Sequence, residues 1–393
     1  MSERITELAL KTLRACEAEH SVVAGRRHFT QYWLRDACFA HWGHLALSEH
    51  RTVEKALTLF TSGVNGGHLP LRYGDKFMAF PLAYDALTRF RRFNDHEPWL
   101  IPRYGDDKGW SEVIDSTPLL VVLAGLNALS GGRIKDYEAL DRAMKNHADR
   151  ERFGILVQRP YADWCDSVKR RGYVTYTNAL YYAALRVMSL LAPDNARREH
   201  YANRAGEVRD LMNERLWARS HYVEFLDDAL VPRRVENFSV ESNFLCVLFG
   251  IADAHQTKLI FSSFDRHPEL IEYIGRRVTP RYPKNLVSRR LRLLGMGEYH
   301  DRMQWIWTTG LVLLADRQCN GSSRTPGIIE RLEQLLDGAE WVSEVYLNNE
   351  PFRTPIYRSE EPFAWSAGVI LAGLIENPKL DEAFAKIRDH ADR

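Results

Sequence analysis

The chain has 393 residues, of which 45% are hydrophobic and 27% charged, a mixture that can bury a large core and excludes a mainly disordered chain. Its 53 Lys and Arg against 52 Asp and Glu leave a formal charge of +1, which excludes the basic footprint of a nucleic-acid or acidic-membrane binder. No run of roughly 18 apolar residues occurs, because Leu119 to Leu129 is too short to span a bilayer. The amino terminus carries Glu3, Arg4, Glu7, Lys11 and Arg14 where a signal peptide would be apolar. Cys16, Cys38, Cys165, Cys246 and Cys319 are odd in number and far apart, without zinc or disulfide spacing. A cytoplasmic protein with a neutral small-molecule partner is expected, with neither nucleic acid nor membrane.

Helical periodicity follows from Ile5 to Ala18, Trp33 to Leu47, Val53 to Ser62, Thr117 to Leu129, Thr175 to Leu191, Arg197 to Trp217 and Ile306 to Asp316. Strand-like alternation is short, in Ile155 to Trp164 and His221 to Leu226. Asn178 to Ala192 is apolar around much of its circumference, whereas Pro193 to Arg219 is charged on one face. Helices of these two kinds in alternation predict the inner and outer layers of a ring. Long loops rich in Trp, Tyr, Gly, Asp and Arg lie between them: Asn65 to Phe77, Arg92 to Ser116, Tyr161 to Tyr176 and Asp337 to Phe363. Such loops within a compact domain carry function. With no linker and no low-complexity tract, residues 1–393 read as one all-α domain.

The first chemical constellation sets Arg35 and Asp36 directly behind Tyr32 and Trp33. A guanidinium beside a carboxylate grips sugar hydroxyls while aromatic rings stack on the apolar face of a pyranose; an ordinary ion pair and helix cap fits the same residues. Glu112 and Asp115 precede a buried helix, where Asp115 fits an N-cap equally well. Asp163 and Asp166 flank Trp164, and an aromatic wall favours the protonated carboxyl that a general acid needs. The alternative is a helix cap or a pairing with Lys169, Arg170 or Arg171. Met296 to Gly310 concentrates Glu298, Tyr299, His300, Asp301, Arg302, Gln304, Trp305 and Trp307, a lining suited to a polyol. Glu340 to Gly368 offers Glu340, Glu344, Glu350, Glu360 and Glu361 among Trp341, Tyr346, Phe352, Tyr357 and Trp365. Glycoside hydrolysis needs a second carboxylate across the scissile bond, although a single Glu is more often a solvated surface residue. His41 and His44 share a helix face, but no HExxH or paired-cysteine pattern accompanies them, and Val64 to Pro70 lacks the Lys and Ser/Thr of a phosphate loop.

In their order along the chain, these segments resemble the six-hairpin glycosidases: glucoamylase-like enzymes, the amylo-α-1,6-glucosidase domain of glycogen debranching enzymes, and neutral/alkaline invertases. Tyr32-Trp33-Leu34-Arg35-Asp36 is similar to their early Arg-Asp motif, which implies contacts to the terminal sugar. Trp164-Cys165-Asp166, with Gly172 and then Thr177-Asn178-Ala179-Leu180-Tyr181-Tyr182, resembles the debranching-enzyme stretch in which Trp-Met-Asp carries the acid. Ser343-Glu344-Val345-Tyr346, followed by Trp365-Ser366, is similar to the closing segment that supplies the base. The family's Tyr-His-Asn-Gly-Gly-x-Trp-Pro stands here as Tyr299 to Ile306, without its glycines and with the added Arg302.

The resemblance implies an (α/α)6 toroid with long active-site loops and minor β-hairpins. It implies an exo-acting, inverting hydrolase of an α-glucosidic bond in a small oligosaccharide or glucan end, needing no cofactor and no metal. Asp166 would be the acid and Glu344 the base, with Asp163 an open alternative as acid. Contacts to the sugar are expected from Tyr32, Trp33, Arg35, Asp36, Asp115, Trp164, Asn178, His300, Arg302, Trp305 and Trp365. Two other readings stand beside it: a sucrose hydrolase of the invertase type, and a non-hydrolytic sugar-binding or epimerase-type toroid, the latter needing a facing histidine pair.

Overall fold

The computed structural model describes residues 2–74, 96–105, 113–134, 136–229, 232–354 and 357–389. Glu112 and parts of the loops after Asn65 and Arg92 lie outside them. Six helices with apolar residues on nearly every face, Leu34–Ala46, Ser116–Leu129, Thr175–Leu191, Val240–Leu248, Trp307–Asn320 and Ala364–Leu374, are buried along almost their whole length. Each packs on the next, and the sixth packs back on the first, so they close a ring. A helix apolar all round requires neighbours on all sides, and the ring supplies them.

The amphipathic helices His50–Ser62, Tyr137–Ala148, Asn195–Arg215, Ala254–Asp265 and Thr325–Leu335 each follow an inner helix in the chain and bury one stripe. Ser2–Ala15 takes the sixth outer position, against the last inner helix and Thr325–Leu335. The final helix, Pro378–Arg388, lies across the end where the inner helices finish: Asn377 donates to the carbonyls of Leu45 and Ala46 at 3.1 and 3.0 Å, and Phe384 packs on Trp42 and Phe249. The architecture is the expected (α/α)6 toroid.

Helix boundaries follow their cap chemistry. Asp136, Asp194 and Asp253 each accept a backbone N–H from the first turn of an outer helix, and Asn377 does the same for the final helix. Five of the six inner helices start without a side-chain cap; Asp115 stands at the N-cap position but turns its carboxylate elsewhere. The strand-like segments form two- and three-stranded antiparallel pieces at this end of the ring, among them Tyr32–Trp33 on Arg72–Tyr73 and Tyr173–Val174 on Phe225–Leu226.

Glycines set the closest inner-helix crossings. A Cβ on Gly368 would lie 2.3 Å from the Ala40 carbonyl oxygen, and one on Gly43 would lie 2.8 Å from the Gly368 Cα. Backbone cannot yield there as a side chain could. Gly368→Ala is therefore expected to cost about 2–3 kcal/mol, read as a fall in the thermal midpoint, whereas Gly327→Ala, inside the helix Thr325–Leu335 with open space around it, should raise the midpoint slightly.

Candidate functional site

The starting ends of the inner helices, with the segments leading into them, meet at one end of the ring. Arg35 and Asp36 stand in the first turn of the first inner helix, Asp115 at the start of the second, and Tyr176 at the start of the third. Arg35 bonds Asp115 through two parallel N–H donors at 2.8 Å each, and Asp115 also accepts the Trp164 N–H at 3.1 Å and the Tyr176 hydroxyl at 3.3 Å. Burial opposes charge on both partners, yet the Asp115 carboxylate carries the Arg35 guanidinium above its ordinary value. The pair is a rigid, ionised fork.

Glu344 is buried, 2% exposed. Its Oε1 accepts the Tyr299 hydroxyl, and its Oε2 accepts the Tyr357 hydroxyl and the Glu360 N–H. Burial pushes its carboxyl above the usual range, against the opposing pull of His28 and of these donors. Asp36 is half-buried, and its carboxyl bonds no other side chain among the described residues. Burial, with Glu344 and Asp115 nearby, pushes Asp36 up to about 7, although Arg35 works the other way. Arg35, Asp36, Asp115 and Glu344 are thus one electrostatic unit.

The Asp36 shift has a signed consequence. Its folded pKa, about 7, is raised above the ordinary value, so the stability it contributes is full below about pH 4 and is lost as pH rises through about 7. Asp36→Asn, which mimics the protonated form, is expected to stabilise the protein by about 2 kcal/mol at pH 8 and by little at pH 4. Melts at both pH values check this; an equal effect at both would refute it.

Around Trp164 the two candidate acids part company. Asp163 is buried, with Oδ1 bound by Arg170 and the Cys165 N–H, and Oδ2 bound by Gln158. Asp166 is exposed, and its carboxylate has no hydrogen bond among the described residues. Only Asp166 of the two is free to meet a ligand. The Trp164 ring turns inward, edge-on to His300, Trp305, Trp307 and Trp365, where it packs on other rings. The peptide after Asp166 is nevertheless tied to Glu344, because Ser167 Oγ bonds His300 Nδ1 at 2.8 Å and the neighbouring Tyr299 bonds Glu344.

Below Trp164 lies an ionic cluster whose side chains are almost wholly buried. Arg277 reaches Glu224, Glu241, the Tyr282 hydroxyl at 2.7 Å and the His300 carbonyl at 2.9 Å; Arg170 reaches Asp163, Glu224 and Glu241. The Arg277 guanidinium faces the Trp164 ring at 5.1 Å. These charges fix the loop that carries Asp166 to the strand pieces behind it.

The other expected contacts differ in how far they are enclosed. Tyr32 is fully buried and its hydroxyl accepts the His20 N–H at 3.2 Å; Asn178 is fully buried and its amide bonds the backbone of Leu156 and Val174. Both are enclosed and hold main chain. His300, 1% exposed, is kept neutral by burial and by Arg277, and stacks on Trp305. Trp164, Trp305 and Trp365 form an aromatic floor with Trp307 and Phe39 and are packed against one another, not open for stacking. Asp115, also buried, orients Arg35. Trp33 and Arg302 remain partly exposed, Trp33 beneath Arg72 and Arg302 beside Glu298 at 3.6 Å. Tyr299, Tyr357 and Glu360 all lay within noted segments of the sequence but were not among the expected site residues, since nothing local distinguishes them from the other tyrosines and glutamates of those loops.

Among the described residues, two groups of side chains bring three metal-type ligand atoms within 4.8 Å: Glu17, His44 and Glu49, and the more exposed Glu19, His20 and Glu97. In the first, the Arg14 guanidinium already bonds both carboxylates. His41 and His44 are buried core residues with ring nitrogens 3.2 Å apart. Among the described residues no helix is long and apolar enough to cross a membrane.

No family model and no curated protein sequence matches the chain. Solved structures do. The mannosylglycerate hydrolase of glycoside hydrolase family 63 from Thermus thermophilus superposes with a TM-score of 0.65 at 16% identity, over 94% of this chain and 99% of that one. The chain has the six-hairpin glycosidase fold. A bacterial glucoamylase complexed with acarbose aligns on this six-hairpin toroid with a TM-score of 0.67 at 13% identity, over 98% of this chain and 57% of that one. A glycosidase variant in complex with glucose aligns with a TM-score of 0.58 at 15% identity, over 98% of this chain and 97% of that one.

Proposed function

We propose that this six-hairpin protein is an exo-acting, inverting glycoside hydrolase that cleaves an α-glucosidic bond at the end of a small oligosaccharide or glucan, with Asp166 as general acid and Glu344 as general base. The observation that carries the reading is the setting of Glu344. Three donors occupy three of the four acceptor positions of its carboxylate, two on Oε2 and one on Oε1. One lone pair on Oε1 is left for a water. Burial raises the proton affinity of Glu344, so taking a proton from that water is easier than for an exposed carboxylate.

Asp166 would protonate the glycosidic oxygen as the bond to the anomeric carbon breaks, while the water activated by Glu344 attacks the opposite face. Arg35, held by Asp115, and the protonatable Asp36 would hold hydroxyls of the terminal sugar, with Trp33 and Arg302 at the partly exposed rim. Water exclusion at Asp166 falls to the bound sugar.

The test is sugar release from maltose, isomaltose, trehalose, sucrose, glucosylglycerate and mannosylglycerate, with NMR of the anomer formed first. Release of β-glucose from an α-glucoside is expected. First-formed α-glucose would overturn inversion, and no release from any of them would overturn the hydrolase reading.

A further inference from the structure

Glu360 has no part in the reaction as written, yet it lies wholly buried against Glu344. Its carboxylate gathers four donors from one short segment: the Arg27 N–H at 2.6 Å, the His28 N–H at 2.8 Å, the Phe29 N–H at 3.3 Å and the His28 ring Nδ1 at 2.9 Å. Burial alone would raise its pKa, but His28 and the backbone donors hold it below the usual carboxylate range. Gly25 makes room for this approach, since a Cβ there would fall 2.2 Å from Glu360 Cγ.

The main chain of Glu360 faces the base. Its N–H donates to Glu344 Oε2 at 3.1 Å, and its carbonyl accepts the Glu344 N–H at 2.8 Å. Tyr357, three residues earlier, places its hydroxyl on the same Oε2. The segment anchored on the other side, residues 27–29, runs directly into Trp33, Arg35 and Asp36. One buried anion therefore joins the segment that clasps Glu344 to the segment that runs into the first inner helix.

We propose that Glu360 is the positioning residue of the base, anchoring residues 27–29 so that its own N–H and the Tyr357 hydroxyl hold Glu344 Oε2 and leave Oε1 turned to water. The inference rests on the reading of Glu344 as base. Glu360→Gln replaces one of the two accepting oxygens with an N–H₂ and removes the charge, so the anchor is weakened with little change of volume. With maltose and 4-nitrophenyl α-D-glucopyranoside as probes, kcat per folded molecule is expected to fall about 10- to 100-fold while KM stays within about threefold, because a displaced base slows chemistry more than binding. Glu360→Asp, which keeps the charge, should recover part of the loss.

A simple structural staple would lower the thermal midpoint and leave kcat of the folded molecules unchanged, and that result would overturn the inference. Should Glu360→Gln not fold, Gly25→Ala and His28→Asn disturb the same anchor more gently, and unchanged kcat in both would count equally against it. Glu344→Gln separates the two readings. An active Glu344→Gln removes the base assignment and this inference with it; an inactive Glu344→Gln beside fully active Glu360→Gln and Gly25→Ala removes this inference alone.

Discussion

Glu344→Gln is expected to lower kcat by about 10²–10⁴-fold, the range of a lost general base, without lowering stability. The side chain keeps its shape, and the Tyr299 and Tyr357 hydroxyls can still bond it. Because burial already disfavours the ionised carboxyl, a neutral amide should leave the thermal midpoint equal or slightly higher. Asp166→Asn should reduce hydrolysis of maltose on a similar scale with no change in stability, since Asp166 is exposed and bonds nothing among the described residues. The two variants differ on activated substrates: 4-nitrophenoxide leaves without protonation, so Asp166→Asn should keep much of its rate on 4-nitrophenyl α-D-glucopyranoside, and Glu344→Gln should not. Near-normal hydrolysis of maltose by either variant would remove that residue from its role.

Arg277→Met should produce the largest loss of stability. Arg277 is wholly buried and pairs with both Glu224 and Glu241, each already short of one hydrogen bond at Oε2. Together with Arg170 it holds Glu224 down at about 2, against the burial that would raise it. Without Arg277, the three buried carboxylates of Asp163, Glu224 and Glu241 share the single cation of Arg170, and breaking a buried pair from one side costs about 3–5 kcal/mol. The double variant Arg277→Met with Glu241→Gln should regain part of that loss, because it also removes a stranded charge. Urea unfolding of the wild type, both single variants and the double variant measures the coupling; strictly additive effects would show that the cluster is not an energetic unit.

The fold was largely legible in the sequence because its helices announce their layer. Thr175–Leu191 is found with the boundaries its periodicity implied, and Ser116–Leu129, apolar all round, could be stable only with neighbours on every side. Ala364–Leu374 and Pro378–Arg388 were hidden inside or behind the last long loop, since an eleven-residue apolar helix offers few periods to read. The site was legible as segments but not as contacts. Asp163 and Asp166 are alike in sequence, both beside Trp164; an arginine seven residues on captures the first and leaves the second exposed.

By itself, the sequence determined the layered helical ring, the segments that would gather at its loop end, and the absence of any charge pattern for nucleic acid. Tertiary structure alone decided which side chains meet. Arg35 finds Asp115 across 80 positions, Tyr299 finds Glu344 across 45, and Glu360 finds the Arg27 N–H across 333. Such pairings depend on burial and on donors brought together by ring closure, and both arise only when the six inner helices pack. For the same reason Tyr32 and Asn178, which resembled sugar contacts, proved to be backbone staples: a polar group enclosed by the closing ring must bond whatever main chain lies beside it.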